Sequence, residues 1–149
     1  HIAGEGVVAQ VDTYNNLDEV LTPGGSPPIF VALNCNSGYF AHPTLTFSVG
    51  ESMVLMARAE RGVAAMISPA SVTDPFTMLQ LGMVLQASLT GSRNETVGAA
   101  FIASLAELLA EPAGSPGKIR TEGSPLLSYS LFGDPTLAAP RTLQGRKRE

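Results

Sequence analysis

The sequence predicts an α/β domain with a mostly parallel sheet that is incomplete in this chain. Two short apolar runs rich in β-forming residues, 29–33 and 63–67, are typical of strands buried on both faces. Helical patterns occur over 48–61, over 74–89 and over 95–111. The order strand, helix, strand, helix, helix is typical of a parallel sheet covered by helices. Since two strands make only a marginal sheet, we expect an upstream fragment or chain to supply the missing strands.

The predicted helices have recognisable ends. Ser48 and Glu51 form a capping-box pattern at the start of the first helix, and Gly62 ends it. Asp74 followed by Pro75 predicts an N-cap with proline at the first helical position. Segments with weaker patterns are predicted as short strands or helical turns: 7–12, 17–21, 126–132 and 136–139.

Length and composition indicate one globular domain, residues 1–140, followed by a basic tail or linker, residues 141–149. The chain has 149 residues, of which 44% are hydrophobic and 15% charged, which is enough for one buried core. The tail carries four basic residues and one acidic residue, a charge of +3, so the total of −4 leaves −7 on the domain. An acidic body is a poor phosphate binder, which argues against a nucleic-acid partner. No apolar run approaches the roughly 20 residues that a membrane span needs.

The single cysteine, Cys35, is the first candidate for chemistry. With one cysteine, an intrachain disulfide and a four-cysteine metal site are excluded. Cys35 follows the first predicted strand, at the edge where open α/β sheets place their ligand sites. Acyl transfer by cysteine needs a thiolate, a base and an oxyanion donor, and the small residues 36–38 leave room for a substrate carbonyl. The alternative is a structural cysteine at the end of a strand.

Two histidines are candidate bases for that thiol. His1 lies in a glycine-rich segment, 1–6, that allows close approach to a ligand, although a first residue is also often frayed. His42 follows Cys35 by seven residues and precedes Pro43, where a surface histidine in a turn is the favoured interpretation. The spacing of these three residues gives no compact metal-ligand pattern.

Four motifs occur in order along the chain. They are Asn-Cys-Asn-Ser-Gly-Tyr-Phe followed by His-Pro in 34–43, Ser-Val-Gly-Glu-Ser in 48–52, Gly-Val-Ala-Ala-Met-Ile-Ser in 62–68, and Leu-Phe-Gly-Asp-Pro-Thr-Leu in 131–137. The first resembles the nucleophile segment of the gingipain-like cysteine peptidases, peptidase family C25 of the caspase clan. The next two are similar to the helix and the strand that follow that segment, and the last is similar to the family's closing motif. The chain therefore resembles the C-terminal portion of a gingipain-like catalytic domain.

The resemblance implies a caspase-like three-layer α/β/α sandwich that acts as a cysteine endopeptidase or transpeptidase. Cys35 is then the nucleophile, His1 is the general base, and the backbone N–H groups of Ile2 and Cys35 are the oxyanion donors. The predicted loop 68–73 lines the pocket for the substrate. The residues expected to contact the substrate are Asn36, Ser68, Pro69, Ala70 and Ser71.

The resemblance also implies a polypeptide substrate and a bacterial protein that is secreted or on the cell surface. It requires no cofactor and allows a structural calcium ion. A sequence that begins at His1 fits a chain produced by proteolytic maturation and held to an upstream fragment. The basic run 146–148 is a candidate for a further cleavage site.

Two alternatives remain open. Ile2 stands where the family has a glycine next to the histidine, which favours a catalytically inactive caspase-like module used for binding or secretion scaffolding. Caspase-like domains attached to helical repeats share the Cys-x-x-Gly pattern of residues 35–38, but they usually lack the Gly-Asp-Pro ending at 133–135. Within that ending, Asp134 is predicted to accept backbone hydrogen bonds in a turn rather than to act in catalysis.

Overall fold

The described part of the chain forms an open three-stranded sheet with helices packed on it, as seen in a computed structural model. The structure describes residues 27–43, 47–56, 62–91, 95–110 and 123–140. The elements predicted at 7–12 and 17–21, the residues His1 and Ile2, and the tail 141–149 lie outside these stretches.

The sheet has the order β1-β2-β3 and contains both pairing directions. The strands are β1 Ile29–Val31, β2 Ala65–Pro69 and β3 Tyr129–Gly133. β1 pairs parallel to β2, with Val31 opposite Ile67, whereas β3 pairs antiparallel to β2, with Leu131 opposite Ile67. The predicted class is therefore confirmed as mixed α/β, with one parallel and one antiparallel pair among the described strands.

Four helices accompany these strands in the described residues. They are α1 Val49–Met56, α2 Pro75–Thr90, α3 Val97–Leu109 and α4 Gly123–Leu127. The Ser48 hydroxyl accepts from the N–H of Glu51 at 3.2 Å, and the Glu51 carboxylate accepts from the N–H of Ser48 at 2.8 Å. Asp74 accepts from the N–H groups of Phe76 at 3.0 Å and Thr77 at 2.9 Å. Both predicted helix starts are thus confirmed. Among the described helices, none has the length and apolar character that crossing a membrane requires.

Side chains of β2 alternate between two apolar clusters. Ala65 and Ile67 lie in the larger cluster, and Met66 lies in the smaller one. The larger cluster also contains residues of α2 and α3, among them Leu81, Leu85, Val97 and Phe101, and the smaller contains Val49 and Met53 of α1. Because successive side chains of a strand point to opposite faces, α1 lies against one face of the sheet and α2 and α3 against the other.

β1 lies at the edge of the described sheet, whereas its apolar run predicts a strand buried on both faces. All three of its residues are only half-buried, because β2 is its one neighbour in the described sheet. β2 is buried throughout, which confirms the second predicted strand, although it begins at Ala65 and continues to Pro69. The first two residues of the predicted loop 68–73 therefore belong to β2.

The C-terminal segment contains both structures that its apolar run allows. Within 126–132, the end of α4 is followed directly by β3, which begins at Tyr129. The strand predicted at 136–139 is a single antiparallel bridge between Thr96 and Ala138. Packing against β2 and α3, rather than local pattern, decides these boundaries.

The Gly-Asp-Pro turn after β3 is fixed by backbone geometry. Gly133 has φ +105°, and an added Cβ would lie 2.5 Å from the Ala64 carbonyl oxygen, so only glycine fits. The Asp134 carboxylate accepts from the hydroxyl of Thr136 at 2.7 Å and from its N–H at 2.8 Å. These bonds, the side-chain one first, lower the pKa of Asp134. The turn role predicted for Asp134 is confirmed.

Replacing Asp74 with alanine should lower the free energy of unfolding by about 1 kcal/mol at neutral pH, because the first N–H groups of α2 lose their acceptor. Hydrogen bonds from Thr77, the side-chain bond first, lower the pKa of Asp74 below its ordinary 3.8. A lowered folded-state pKa stabilises the fold above the unfolded value, and this contribution is lost as the pH falls through the folded-state pKa. Urea unfolding of the wild type, Asp74→Ala and the matched Asp74→Asn at neutral and acidic pH measures both effects.

At neutral pH, Asp74→Asn should keep most of the capping stability, since its side-chain oxygen still accepts from the helix. The difference in free energy of unfolding between the wild type and Asp74→Asn should vanish in acid, where the aspartate is protonated. An alanine variant as stable as the wild type would contradict the capping role.

Candidate active site

Cys35 lies beyond the end of β1, in a loop that continues to follow β2. The N–H of Ala32 donates to the Ile67 carbonyl at 2.8 Å, and the N–H of Gly38 donates to the Pro69 carbonyl at 2.8 Å. The chain therefore stays hydrogen-bonded to β2 after regular strand geometry has ended. The Cys35 thiol is free and the residue is half-buried. It lies at the carboxyl ends of the two parallel strands, where the sequence predicts it.

Thr73 contacts the Cys35 sulfur with each of its polar groups. The N–H of Thr73 donates to Sγ at 3.5 Å, the thiol donates to the Thr73 carbonyl at 3.4 Å, and Sγ and Oγ1 lie 3.9 Å apart. The Thr73 hydroxyl also donates to the carbonyl of Asn34 at 3.0 Å. Since Thr73 is buried, these contacts hold the thiol against the loop that follows β2.

Asn36 turns the chain directly after Cys35. Its φ of 58° is the only positive value of a non-glycine residue among the described residues. Asparagine tolerates this left-handed conformation better than most residues, at a cost of about 1 kcal/mol. Its N–H donates to the Ser71 carbonyl at 3.1 Å. The turn is therefore anchored to the same loop that contacts the thiol.

Gly38 and Gly50 allow the Cys35 loop and α1 to pack closely on the sheet. A Cβ at Gly38 would lie 2.7 Å from Ser68 Oγ and 2.9 Å from the Ser68 carbonyl oxygen, and one at Gly50 would lie 2.9 Å from the Phe132 ring. The N–H of Gly50 donates to the Ser37 carbonyl at 2.9 Å, which joins the first turn of α1 to the loop. Larger side chains therefore do not fit at either position without rearrangement.

Three buried polar atoms in and beneath the Cys35 loop have no hydrogen-bond partner among the described residues. They are Nδ2 of Asn34, Oγ of Ser68 and the hydroxyl of Tyr129. The other half of the Asn34 amide is satisfied, because the Ser37 hydroxyl donates to its Oδ1 at 2.7 Å. Buried polar atoms normally have partners, so their grouping marks this edge of the sheet as unusual.

Tyr129 lies close enough to Cys35 and Thr73 for both residues to affect the pKa of its hydroxyl. Burial raises the pKa of Tyr129 to about 12, with Cys35 and Asp74 adding to the rise and the Thr73 hydroxyl opposing it. The Thr73 hydroxyl thus lowers the pKa of Tyr129, although the two hydroxyl groups do not meet the geometry of a hydrogen bond. Tyr129 is therefore a neutral phenol throughout the physiological pH range.

The residues predicted to contact substrate lie in two different environments. Ser68 and Pro69 are buried in β2, whereas Asn36, Ala70 and Ser71 are half-buried. The backbone hydrogen bond between Asn36 and Ser71 places these two residues beside the thiol. Solvent reaches the side chains at 36, 70 and 71 most easily, and the substrate role of all five stays a prediction.

The structure places one of the two candidate bases. The His42 ring packs edge-on against Tyr39, with ring centroids 5.5 Å apart at an angle of 78°, and the N–H of His42 donates to the Tyr39 carbonyl at 3.4 Å. These contacts agree with the turn position predicted for His42. His1 and Ile2 lie outside the described residues, so their roles as general base and oxyanion donor stay predictions.

Thr73 and Tyr129 are residues of this site that the sequence patterns do not reveal. Thr73 stands 38 positions from Cys35 and directly before the capping Asp74. One available signal is the order of the elements, because loops after neighbouring parallel strands meet at one edge of the sheet. Tyr129 gives no such signal, since its position depends on the antiparallel pairing of β3.

No group of three or more His, Cys, Asp or Glu side chains suited to a metal ion occurs among the described residues.

A thiol held at the carboxyl ends of two parallel strands defines a candidate cysteine-nucleophile site. A family model described as peptidase family C25 matches residues 1–140. Because the match covers nearly the whole chain, the chain belongs to peptidase family C25, and the resemblance drawn from the motifs is confirmed. Membership implies a peptidase, that is, a hydrolase of peptide bonds, of the cysteine type. Comparisons with curated proteins and with solved structures gave no match.

Replacing Gly38 with alanine should lower the free energy of unfolding by about 1–3 kcal/mol, because the new methyl group would overlap a backbone oxygen that has no freedom to move. Gly82→Ala is a matched control: its Cβ would also meet a neighbour at 2.7 Å, but that neighbour is the end of the flexible, 42% exposed Leu33 side chain. Alanine also favours the helix interior by roughly 0.5–1 kcal/mol. Urea unfolding should show Gly38→Ala destabilised and Gly82→Ala unchanged or stabilised. Equal effects would show that the Cys35 loop does not pack on Ser68 as described.

Proposed function

We propose that this chain is the C-terminal portion of the catalytic domain of a gingipain-like cysteine endopeptidase or transpeptidase, with Cys35 as nucleophile and His1 as general base. The observation that carries the proposal is the Cys35 thiol at the carboxyl ends of β1 and β2, on a loop anchored on both sides. Membership of peptidase family C25 supports the reaction class.

In the proposed reaction, His1 takes the thiol proton as Sγ attacks the carbonyl carbon of the scissile peptide bond. The N–H groups of Ile2 and Cys35 stabilise the negative charge on the carbonyl oxygen. Protonated His1 then gives its proton to the leaving amine, which breaks the C–N bond and leaves a thioester on Cys35. Water attacks the thioester in hydrolysis, and a second amine attacks it in transpeptidation.

The complete domain is proposed to be a caspase-like three-layer α/β/α sandwich with a mostly parallel sheet. Helices on both faces of the described sheet agree with three layers. The half-buried edge strand β1, followed by Leu33 at 42% exposure, supports further strands supplied by an upstream fragment or chain.

The proposed substrate is a polypeptide whose residue before the scissile bond contacts Asn36 and the segment 68–71. Of these residues, Asn36, Ala70 and Ser71 are half-buried, so solvent reaches their side chains, which supports their contact with substrate. The proposal includes a secreted or cell-surface location and no required cofactor, and the family resemblance allows a structural calcium ion. These features follow from the family and not from the described contacts.

Replacing Cys35 with alanine in the intact assembly, with whatever chain precedes His1, should reduce peptide cleavage by at least about 10³-fold without unfolding the protein. The assay is incubation with a mixed peptide library under reducing conditions, with new termini identified by mass spectrometry. Cleavage sites in the wild-type sample would define the specificity pocket. Cleavage that persists in Cys35→Ala would overturn the proposal.

The two histidines provide a matched pair of further variants. His1→Ala should lose cleavage to a similar extent, because no other proposed group takes the thiol proton, whereas His42→Ala should retain it. The reverse result would assign the general base to His42.

A catalytically inactive module used for binding or secretion scaffolding is the second candidate function. Ile2 favours it, because a side chain stands where the family has glycine beside the oxyanion. Cys35 is the only cysteine of these 149 residues, so alkylation that peptide mapping assigns to this stretch reports on this thiol. The inactive module predicts alkylation near neutral pH no faster than that of a model thiol, together with no cleavage. Strongly accelerated alkylation would count against it.

A further inference from the structure

Two loops at the carboxyl edge of the sheet are joined by a series of hydrogen bonds across the gap between them. The N–H groups of Asn36 and Gly38 donate to the carbonyls of Ser71 and Pro69 at 3.1 and 2.8 Å. On the other side of Cys35, the hydroxyl of Thr73 donates to the carbonyl of Asn34 at 3.0 Å. The residue that carries the thiol therefore has an anchored neighbour both before and after it.

The Thr73 bond is the one of these three that depends on a side chain. The bonds of Asn36 and Gly38 are made by backbone N–H and carbonyl groups, whereas the Thr73 bond requires a side-chain hydroxyl. A threonine hydroxyl has one proton, and Thr73 gives it to the Asn34 carbonyl. The same oxygen lies 3.9 Å from the Cys35 sulfur, whose single proton is directed at the Thr73 carbonyl.

The backbone of Thr73 meets the same sulfur. Its N–H donates to Sγ at 3.5 Å, and its carbonyl accepts from the thiol at 3.4 Å. Anchoring the Asn34 carbonyl thus brings three polar groups of one buried residue around the thiol. The next residue, Asp74, is the N-cap of α2, so Thr73 is bonded to a residue that the first turn of that helix holds in place.

We propose that Thr73 is the positioning residue for the Cys35 nucleophile: its hydroxyl holds the Asn34 carbonyl and so keeps the Cys35 loop closed on the loop after β2. The proposal rests on the proposed peptidase function for its effect on catalysis. The loop closure itself is independent of that function. Thr73 acts through the position of Cys35 and takes no part in bond making or breaking.

The test uses Thr73→Val, which keeps the shape of the side chain and removes its hydroxyl, and Thr73→Ser, which keeps the hydroxyl. Ser104→Ala is the structural control, because it removes a buried hydroxyl from α3 that donates only within its own helix, to Ala100 at 2.8 Å. Amide hydrogen exchange of the intact assembly, read at Asn36 and Gly38, measures loop opening whether or not the protein cleaves peptides. Steady-state kinetics on a peptide cleaved by the wild type measures the catalytic effect.

Thr73→Val should increase exchange at the Asn36 and Gly38 amides by about 5-fold or more, since an anchored loop opens more often when its anchor is lost. It should lower kcat by roughly 10- to 100-fold with little change in KM, because a misplaced nucleophile slows the reaction more than it weakens binding. Thr73→Ser and Ser104→Ala should resemble the wild type in both measurements.

The possible results separate the two proposals. Unchanged exchange in Thr73→Val, or equal kcat in Thr73→Val and a cleaving wild type, overturns the positioning role and leaves the peptidase intact. Faster exchange in Thr73→Val but not in Thr73→Ser, in an assembly that cleaves nothing, supports the anchor and overturns the peptidase function.

Discussion

The parallel pairing of β1 with β2 is the constraint on which the rest of the described structure depends. β2 is buried throughout and pairs with a strand on each side, so its register fixes both neighbours. The hydrogen bonding continues beyond the last residue of β1 as far as Gly38. The loop that follows β1 is therefore joined by backbone hydrogen bonds to Pro69 of β2 and to Ser71 of the next loop, and the thiol lies beside these bonds.

Unfavourable features of the described residues are concentrated around that thiol. The left-handed backbone of Asn36 costs about 1 kcal/mol, and a buried polar group without a partner costs about 1–3 kcal/mol. Such groups occur at Asn34, at Ser68 beneath Gly38, and at Tyr129 near Thr73. Stability alone favours apolar groups at these buried positions. Their presence at one edge of the sheet agrees with a site where function and not stability determines the residues.

The sequence predicts well those features that depend on neighbours along the chain. Apolar runs located β1 and β2, and the capping residues Ser48 and Asp74 located the starts of α1 and α2. The division of 126–132 into helix and strand was not predicted, because an apolar run of this length fits either element until it packs.

In the candidate site too, local sequence predicts some features, whereas others depend on contacts between distant residues. The position of Cys35 follows from the strand that precedes it, since open α/β sheets place ligand sites at that edge. The contact with Thr73 joins residues 38 positions apart, which no local pattern reveals. His1 as general base rests on the family resemblance alone, because a short glycine-rich segment does not determine which group its histidine faces.

The thiol is positioned by two different parts of the fold. Along the strand direction, backbone hydrogen bonds to β2 set its place. Across the sheet, contacts with Thr73 set it, and Thr73 directly precedes Asp74, the N-cap of the helix whose Leu81 and Leu85 pack in the larger core cluster. The polar groups around Sγ therefore come from a residue that stands beside a helix cap, whereas the bonds along the strand direction come from β2 itself.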